Sequence, residues 1–442
     1  MKHFLSTFAI TILMWSIASM THAQNWSESI DFSATFETEG ANNIRHGGEQ
    51  KLEATYQPEI STSLTDDVSA TALLRFRWDS YDTLEPNQPS QGNRSDASQR
   101  WFVNNNAEAE LREFYFDAYV GDSYLIAGKQ QIVWGQADGL KVLDVANPQS
   151  FREFILDDFD NSRIPLWALN IEIPVSDESA LQLIWIPDNT YHDIPETGSA
   201  YAFASSRLIR QVPINFTATV NEAQKPSNAL QNSDVGARFS TFTNGWDVTF
   251  NYLYHYHDFP VLYRSVSGAN ITVTPKYKRT HLFGSGLSNA FGDYIFRSEI
   301  GYSTDSYHIN QSLNSADGIE KTGDFSYILG LDYTGFKDML ISAQFFQSIM
   351  TSDPADVSRD QVENTVTFLA NHRSVNETWV AEIQLLHSLN DEDGLIRPKI
   401  THEYISNLNM WIGMDIFYGN SNGIYGQFNE VDRAYIGLEW GL

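Results

Sequence analysis

The last ten residues of the chain, "RAYIGLEWGL" from Arg433 to Leu442, alternate between apolar side chains and small or polar ones. Successive side chains of a β-strand point to opposite faces of the sheet. One face of this segment therefore carries Ala434, Ile436, Leu438, Trp440 and Leu442. The pattern predicts a strand with one face in an apolar environment and the other in a polar one.

The same alternation recurs along the chain in segments of about ten residues, the length of a strand in a membrane barrel. In "DVSATALLRFRWDS" the apolar set runs from Val68 to Trp78, and the opposite face carries Arg75, Arg77 and Asp79. Comparable segments are "GWDVTFNYLYHYHD", "GDYIFRSEIGY", "GDFSYILGLDY", "NETWVAEIQLLHS" and "NLNMWIGMDIF". Aromatic residues tend to fall at the ends of these segments, as the two interfacial girdles of a membrane barrel require.

Short connections between the segments alternate with long polar ones. Short turns are predicted at Thr243 to Gly245, Gly292-Asp293 and Thr334 to Lys337, and long connections at Tyr81 to Asn106, Tyr191 to Ser233, Ser303 to Thr322 and Thr351 to Asp360. Outer-membrane barrels have short periplasmic turns and long outer loops. The sequence therefore predicts an all-β, antiparallel transmembrane β-barrel of about 18 strands, within a range of 16–18, closed by pairing of the first strand with the last.

The start of the chain is typical of an export signal. Lys2 and His3 precede an apolar run that ends near Met20, and Ala23 suits a cleavage site before Gln24. We therefore expect residues 1–23 to be a cleaved signal peptide and residues 24–442 to form the barrel. The absence of cysteine leaves stability to the hydrogen-bonded sheet, and the net charge of -28 argues against nucleic acid as a partner.

Catalytic and metal-binding motifs are few. "GDSYL" at Gly121 to Leu125 resembles a lipase block, but a Gly-Asp pair between two strands favours a tight turn. His255 and His257 could share a strand face as metal ligands, although no third ligand is evident. The acidic clusters "DDFD" and "DED" (Asp157 to Asp160 and Asp391 to Asp393) lack the spacing of a calcium loop. We therefore predict neither catalysis nor a cofactor or metal site.

From Gln131 to Pro165 the alternation stops, and apolar residues, turn residues and charges are mixed. An ordinary external loop would leave a large apolar set in water: Ile132, Val133, Trp134, Leu140, Val142, Leu143, Val145, Phe154 and Ile155. We therefore predict that this segment, residues 131–165, folds into the barrel and forms a constriction.

Three stretches resemble an uncharacterised family of proteobacterial outer-membrane barrel proteins: "GKQQIVWGQADGLKVLDVANPQSF" (Gly128 to Phe151), "YHYHDFPV" (Tyr254 to Val261) and "GMDIFYGNSNGIYGQFNEVDRAYIGLEW" (Gly413 to Trp440). Members of that family are often encoded beside RND-type exporters and a periplasmic carrier-like protein. The resemblance implies a transport role, and it implies periplasmic or RND-type components as partners.

Together these patterns predict a porin-like channel or transporter of the Gram-negative outer membrane, in contact with lipid and lipopolysaccharide and inserted by the barrel assembly machinery. The alternatives are uptake of a lipophilic compound, an outer-membrane hydrolase, and a structural or adhesive barrel without conductance. The candidate pore residues are Arg75, Arg77, Lys129, Arg297 and Arg433 on the polar strand faces, with Lys141, Asp144, Arg152 and Arg163 in the constriction segment. Opposed charges in a narrow passage would orient solutes, whereas local pairing would only tie the segment to the wall.

Overall fold

The computed structural model describes residues 30–135, 139–226, 228–374 and 376–442, so the predicted signal peptide lies outside the described residues. Eighteen strands form one closed antiparallel sheet, which confirms the predicted barrel and its strand number. In chain order they are β1 (Ile30–Asn43), β2 (Glu49–Thr65), β3 (Val68–Asp79), β5 (Ala107–Val120), β6 (Ser123–Gln130), β7 (Leu166–Ser176), β8 (Ser179–Ile186), β10 (Asp234–Thr243), β11 (Trp246–Tyr256), β14 (Arg279–Phe291), β15 (Tyr294–Ile309), β16 (Ile319–Tyr333), β17 (Met339–Met350), β18 (Val362–Ser374), β19 (Trp379–Ser388), β20 (Asp393–Ile405), β21 (Leu408–Tyr418) and β22 (Arg433–Gly441).

Smaller elements lie in the long connections. A short strand β4 (Trp101–Asn104) pairs with β5, and a separate three-stranded sheet contains β9 (Thr217–Val220), β12 (Val261–Ser267) and β13 (Asn270–Lys276). One short helix, α1 (Phe159–Ser162), lies in the segment that was predicted to fold inward. Among the described helices, none has the length and apolar character needed to cross a membrane.

The barrel closes where β1 pairs with β22, from Thr35 opposite Gly441 to Asn43 opposite Arg433. Closure leaves neither the first nor the last strand with a free edge, which lipid could not satisfy. The alternation of β22 is as predicted: Ile436 is 61% exposed on the outer face, whereas Arg433 is 2% exposed on the inner face. A continuous apolar outer surface around a closed sheet places the barrel in an outer membrane.

Short and long connections alternate around the barrel, as the sequence predicted. The two-residue turn Asn244-Gly245 has positive φ at both positions, which suits a tight hairpin. Gly121-Asp122 is a turn of the same length between β5 and β6, so "GDSYL" is a hairpin. Aromatic pairs flank the short turns, among them Tyr294–Tyr333, with ring centroids 4.8 Å apart.

One predicted connection is much shorter than expected. The sequence predicts a long loop from Ser303 to Thr322, but β15 continues to Ile309 and β16 starts at Ile319. The register between these strands shifts between Ser303 and Ser306. An irregularity of this kind changes which residues share a face, and it interrupted the alternation on which the prediction depended.

Candidate functional site

The segment from Gln131 to Pro165, described by the structure at residues 131–135 and 139–165, leaves the wall at the end of β6, enters the lumen, and returns at the start of β7. Asn147 holds its two ends together: the Asn147 Oδ1 accepts the backbone N–H of Ile132 at 2.7 Å, and the Asn147 amide donates to the carbonyl of Ile164 at 2.9 Å. Asn147 is only 3% exposed. One buried amide therefore fixes the base of the fold, in agreement with the general rule that buried polar groups are hydrogen-bonded.

The first half of the segment packs on an apolar patch of the inner wall. Ile132, Trp134, Val142, Leu143 and Ala146 form one buried cluster with wall residues of β7, β8, β11, β14 and β16, namely Leu166, Ala168, Ile184, Ile186, Leu253, Leu282 and Ile328. Burial of this apolar surface is the main stabilising contribution available to the segment. It explains why most apolar residues in this part of the loop sequence are buried, although Val133 is 45% exposed.

Glycines in the wall make room for these side chains. A Cβ built on Gly284 would overlap the side chain of Leu143, and one on Gly301 would lie 2.8 Å from Val142 Cγ1. A Cβ on Gly236 would lie 2.6 Å from Trp134 Cη2. These strand positions therefore carry no side chain because the inward segment occupies the space, a recognised use of glycine where another part of the protein approaches closely.

The second half of the segment reaches the opposite wall through two charged residues. Arg152 contacts Glu53 at 2.6 Å, Glu85 at 3.1 Å and Asp79 at 3.2 Å. Glu153 contacts Lys51 at 2.8 Å and Arg433 at 2.6 Å. These partners belong to β2, β3, β22 and the loop after β3.

Aromatic packing supports the same contact. Phe154 and Leu156 belong to a second buried cluster, which includes wall residues of β19 to β21 and residues of three other loops: Leu84, Tyr201, Leu386, Leu395, Phe417, Tyr425 and Phe428. Because β14 and β2 lie on opposite sides of the ring, the segment spans the lumen between Leu143 and Arg152. This crossing is the geometry of the predicted inward fold.

Burial and neighbouring charges shift the pKa values of ionisable side chains in the segment and in a loop that contacts it. Burial alone would raise the pKa of Glu153, but Lys51, Arg433 and Arg152 outweigh it and hold that pKa well below its usual value. Burial lowers the pKa of Lys141, and Asp144 only partly offsets this. His192, in a neighbouring loop, has its pKa lowered to about 3 by burial and by Lys141. Its neutral ring accepts the backbone N–H of Gln149 on Nδ1 at 2.8 Å.

The nine residues predicted from the sequence to line the pore all have partners in the structure. Arg75 contacts Glu110 at 2.5 Å, Arg77 contacts Glu108 at 3.1 Å, and Arg297 contacts Asp332 at 2.9 Å. In the segment, Asp144 pairs with Arg163 at 2.9 Å and Lys141 at 2.8 Å, so this carboxylate does not face a basic patch on the wall. Arg433 also contacts Asp415, at 2.7 Å.

Lys129 differs from the expectation of a lumen-facing side chain. The strand register places it opposite Phe114 on β5 and Trp167 on β7. Phe116, two residues along the same face, is 43% exposed on the outside of the barrel. The Lys129 ammonium is buried at 1% exposure and donates to the backbone carbonyl of Leu111 at 2.7 Å. The side chain thus lies within the wall.

Several residues of the charged network were not predicted from the sequence. Arg94 and Arg100 come from the loop after β3 and contact Glu110 at 2.8 Å and Glu108 at 2.9 Å. Further unpredicted members are Lys51, Glu153 and the carboxylates Glu53, Glu85, Glu108 and Glu110. Glu153 lies beside the predicted Arg152, whereas Arg94, Arg100 and Lys51 are far in the sequence from every predicted residue and carry no such signal.

The acidic clusters and histidines do not assemble a metal site. Asp391 pairs with Arg207, and Asp393 accepts the backbone N–H groups of Tyr425 and Gly426 at 2.7 and 2.8 Å. His257 contacts the backbone carbonyl of Asp305. Within the described residues, no three metal-ligating side chains converge.

Comparison with known proteins agrees with this architecture. A family model described as a protein of unknown function (DUF1302) matches residues 76–383. No curated protein is significantly similar to the sequence.

Solved structures share the fold at low sequence identity. The outer membrane protein opdK from Pseudomonas aeruginosa is 10% identical, with a TM-score of 0.53 over 94% of this chain and 100% of that one. OccAB2 from Acinetobacter baumannii has a TM-score of 0.54 at 10% identity, covering 93% and 98%. A BenF-like porin from Pseudomonas fluorescens Pf-5 has 0.52 at 10%, covering 94% and 99%. These similarities show a common barrel fold.

Proposed function

Since this chain belongs to the DUF1302 family and folds as a closed 18-stranded barrel, we propose that it is a passive, porin-like channel of the outer membrane. In this proposal, small solutes cross through the lumen, and the segment Gln131 to Pro165 is the constriction that selects among them. The fold supports a channel rather than a hydrolase or an adhesive barrel, because the segment crosses the lumen and would narrow the path of a solute.

The crossing of the lumen by the segment is the observation that carries the proposal. Leu143 is fixed on one wall by the apolar cluster, and Arg152 is fixed on the other by carboxylates. A solute must therefore pass between the segment and the wall. Charges that line a narrow, partly dry passage act on solutes more strongly than the same charges in bulk water.

The nine predicted residues would act in three ways. Arg75, Arg77 and Arg152 belong to the paired network beside the passage and would set its local field. Arg163, Lys141 and Asp144 pair within the segment and would hold its shape. Lys129, Arg297 and Arg433 would fix the wall around it, through Leu111, Asp332 and Asp415 respectively.

The outer surface of the barrel and its short-turn end would contact different partners. The apolar outer surface would contact lipid and lipopolysaccharide, and the barrel assembly machinery would insert the chain, as for other barrels of this type. A periplasmic or RND-type component would dock at the short-turn end. That last partnership is supported by the family resemblance alone.

Single-channel recording in planar bilayers tests the channel. We expect the parent protein to conduct, and we expect a variant that lacks Leu140 to Asn147 to conduct more, since it has lost the part that packs on the β14 wall. The deletion variant must first show the same heat-modifiable migration on a detergent gel as the parent. A correctly assembled deletion variant with unchanged conductance contradicts the constriction.

A further inference from the structure

The wall of the barrel is incomplete between β5 and β7. Strand β5 has 14 residues, but the adjacent β6 has only 8. Pairing with β6 covers β5 only from Phe114 to Val120, and pairing with the short strand β4 covers Ala107 to Ala109. In the described part of the chain, no strand pairs with Glu110 to Glu113 on that side of β5.

The gap lies at the depth of the membrane. Eight residues at ~3.3 Å rise and ~45° tilt span about 19 Å, which is less than the ~25 Å apolar band of such barrels. Because β6 ends at the side of the long loops, the gap opens toward the outer leaflet. Unpaired backbone groups at this depth are costly unless protein covers them.

A side chain takes the place of the missing strand. The Lys129 ammonium donates to the carbonyl of Leu111, in the middle of the unpaired stretch. A lysine side chain has rotatable bonds along its whole stem and holds one carbonyl, whereas a strand would satisfy a continuous row of backbone groups. The closure at this point is therefore made by side chains, since Gln131 also donates to the Glu113 carboxylate at 2.9 Å, and such contacts can be broken and remade.

A short cover from the loop after β3 lies across the same gap. We call residues Arg94 to Ser98 the cover. On one side, Arg94 contacts Glu110 of β5 at 2.8 Å. On the other side, the carbonyl of Ala97 accepts the Trp167 indole N–H at 3.1 Å, and Ser98 Oγ donates to Asp188 at 2.7 Å. The cover is held by side-chain contacts at both edges and is not part of the barrel ladder.

Apolar surface flanks the gap on both sides, although the gap itself is lined by the charged residues Glu110, Arg112 and Glu113 of β5 and Arg94 of the cover. Outside, Trp101 and Val103 next to the cover are 58% and 76% exposed. Inside, the buried cluster begins directly after β6, where Ile132 and Trp134 pack against Leu166 and Ala168 at the start of β7. A lipophilic molecule would meet an apolar surface on either side of the wall once the ion pair between Arg94 and Glu110 has opened.

We propose that this gap is a lateral passage through which a lipophilic molecule exchanges between the barrel interior and the outer leaflet. Lys129 and the cover form its gate. The inference rests on the proposed channel, since the molecule must also cross the lumen. It differs from the channel in direction: hydrophilic solutes pass along the barrel axis, and lipophilic ones leave or enter through the wall.

A reversible lock tests the gate. The chain contains no cysteine, so the double variant Ser98→Cys/Asp188→Cys, whose side chains already touch, can form only the disulfide that fixes the cover to the end of β8. Cells expressing it are given N-phenyl-1-naphthylamine, a lipophilic fluorophore, with the disulfide oxidised or reduced. Uptake should fall to that of cells without the protein when oxidised and recover on reduction, while the conductance stays the same in both states.

A second variant opens the gate. Lys129→Met keeps most of the side-chain volume but cannot donate to Leu111, so uptake of the fluorophore should rise several-fold. The matched control is Lys337→Met, on a short turn, where the side chain is 92% exposed.

The outcomes separate the two proposals. Equal uptake by the oxidised and reduced double variant overturns the lateral passage, provided that thiol labelling confirms the disulfide. If the disulfide does not form, the test is the comparison of Lys129→Met with Lys337→Met. Equal uptake of the fluorophore by these two variants overturns the lateral passage. A parent protein without conductance instead refutes the axial channel, whatever the fluorophore does.

Discussion

Replacing one wall glycine should release the constriction segment while leaving the barrel closed. In Gly284→Ala the new methyl group overlaps the side chain of Leu143, which is fully buried. Complete burial of a leucine side chain contributes about 1.5–3 kcal/mol. If about 2 kcal/mol of this is lost, the ratio of detached to docked segments rises about 30-fold, since each 1.4 kcal/mol corresponds to a factor of ten.

Single-channel recording measures this ratio directly, as the time spent in a high-conductance state relative to the resting state. Gly330→Ala on β16 is the matched control, because its new methyl group has its nearest neighbour, Gln344 Cγ, at an ordinary 3.4 Å. Both variants should keep heat-modifiable migration on a detergent gel. If Gly284→Ala and Gly330→Ala give the same distribution of conductance states, Leu143 does not hold the segment on the wall.

Three further perturbations test other parts of the structure. Ile436→Lys places a charge on the lipid-facing side of β22 at a cost of about 2–4 kcal/mol near the membrane midplane, so its surface level should fall below that of Glu439→Lys on the inner face; equal levels would mean that the facing is wrong. Arg152→Ala removes the cation shared by Glu53, Asp79 and Glu85, so the reversal potential in a KCl gradient should shift toward cation preference, whereas the exposed Arg373→Ala should leave it unchanged. The pKa of His192 is lowered to about 3 by burial; its neutral ring therefore stabilises the fold above about pH 6.5, and this contribution is lost as the pH falls from about 6.5 toward 3. His192→Asn should flatten the dependence of the urea midpoint on pH in that window, and an unchanged slope would exclude His192 as its source.

The barrel itself could be predicted from the sequence because its signal is local. The alternation in β22 and the Asn244-Gly245 turn each follow from a few adjacent residues, and both are found as predicted. The inward fold was also predictable, since the apolar residues after Gln131 required cover.

The contacts of the site were not predictable, because they join distant parts of the chain. Glu153 meets Lys51 and Arg433 only after the barrel closes, and no local pattern encodes that meeting. The sequence predicts that Lys129 faces the lumen because it falls on the polar face of its strand. Gly128, with φ near +139°, departs from ordinary strand geometry immediately before it, and a pattern of residue types does not show such a departure.

The contacts of Glu153 connect the state of the segment to the state of the barrel seam. Lys51 belongs to the second strand and Arg433 to the last, and these strands become near neighbours only when β1 pairs with β22. Both cations are therefore in place for Glu153 only in the closed ring. By thermodynamic linkage, docking of Glu153 must stabilise the closed seam by the same free energy by which the closed seam stabilises docking. The segment should thus act as an internal ligand of the seam, and a chain unable to dock it should lose part of its resistance to opening at β1 and β22.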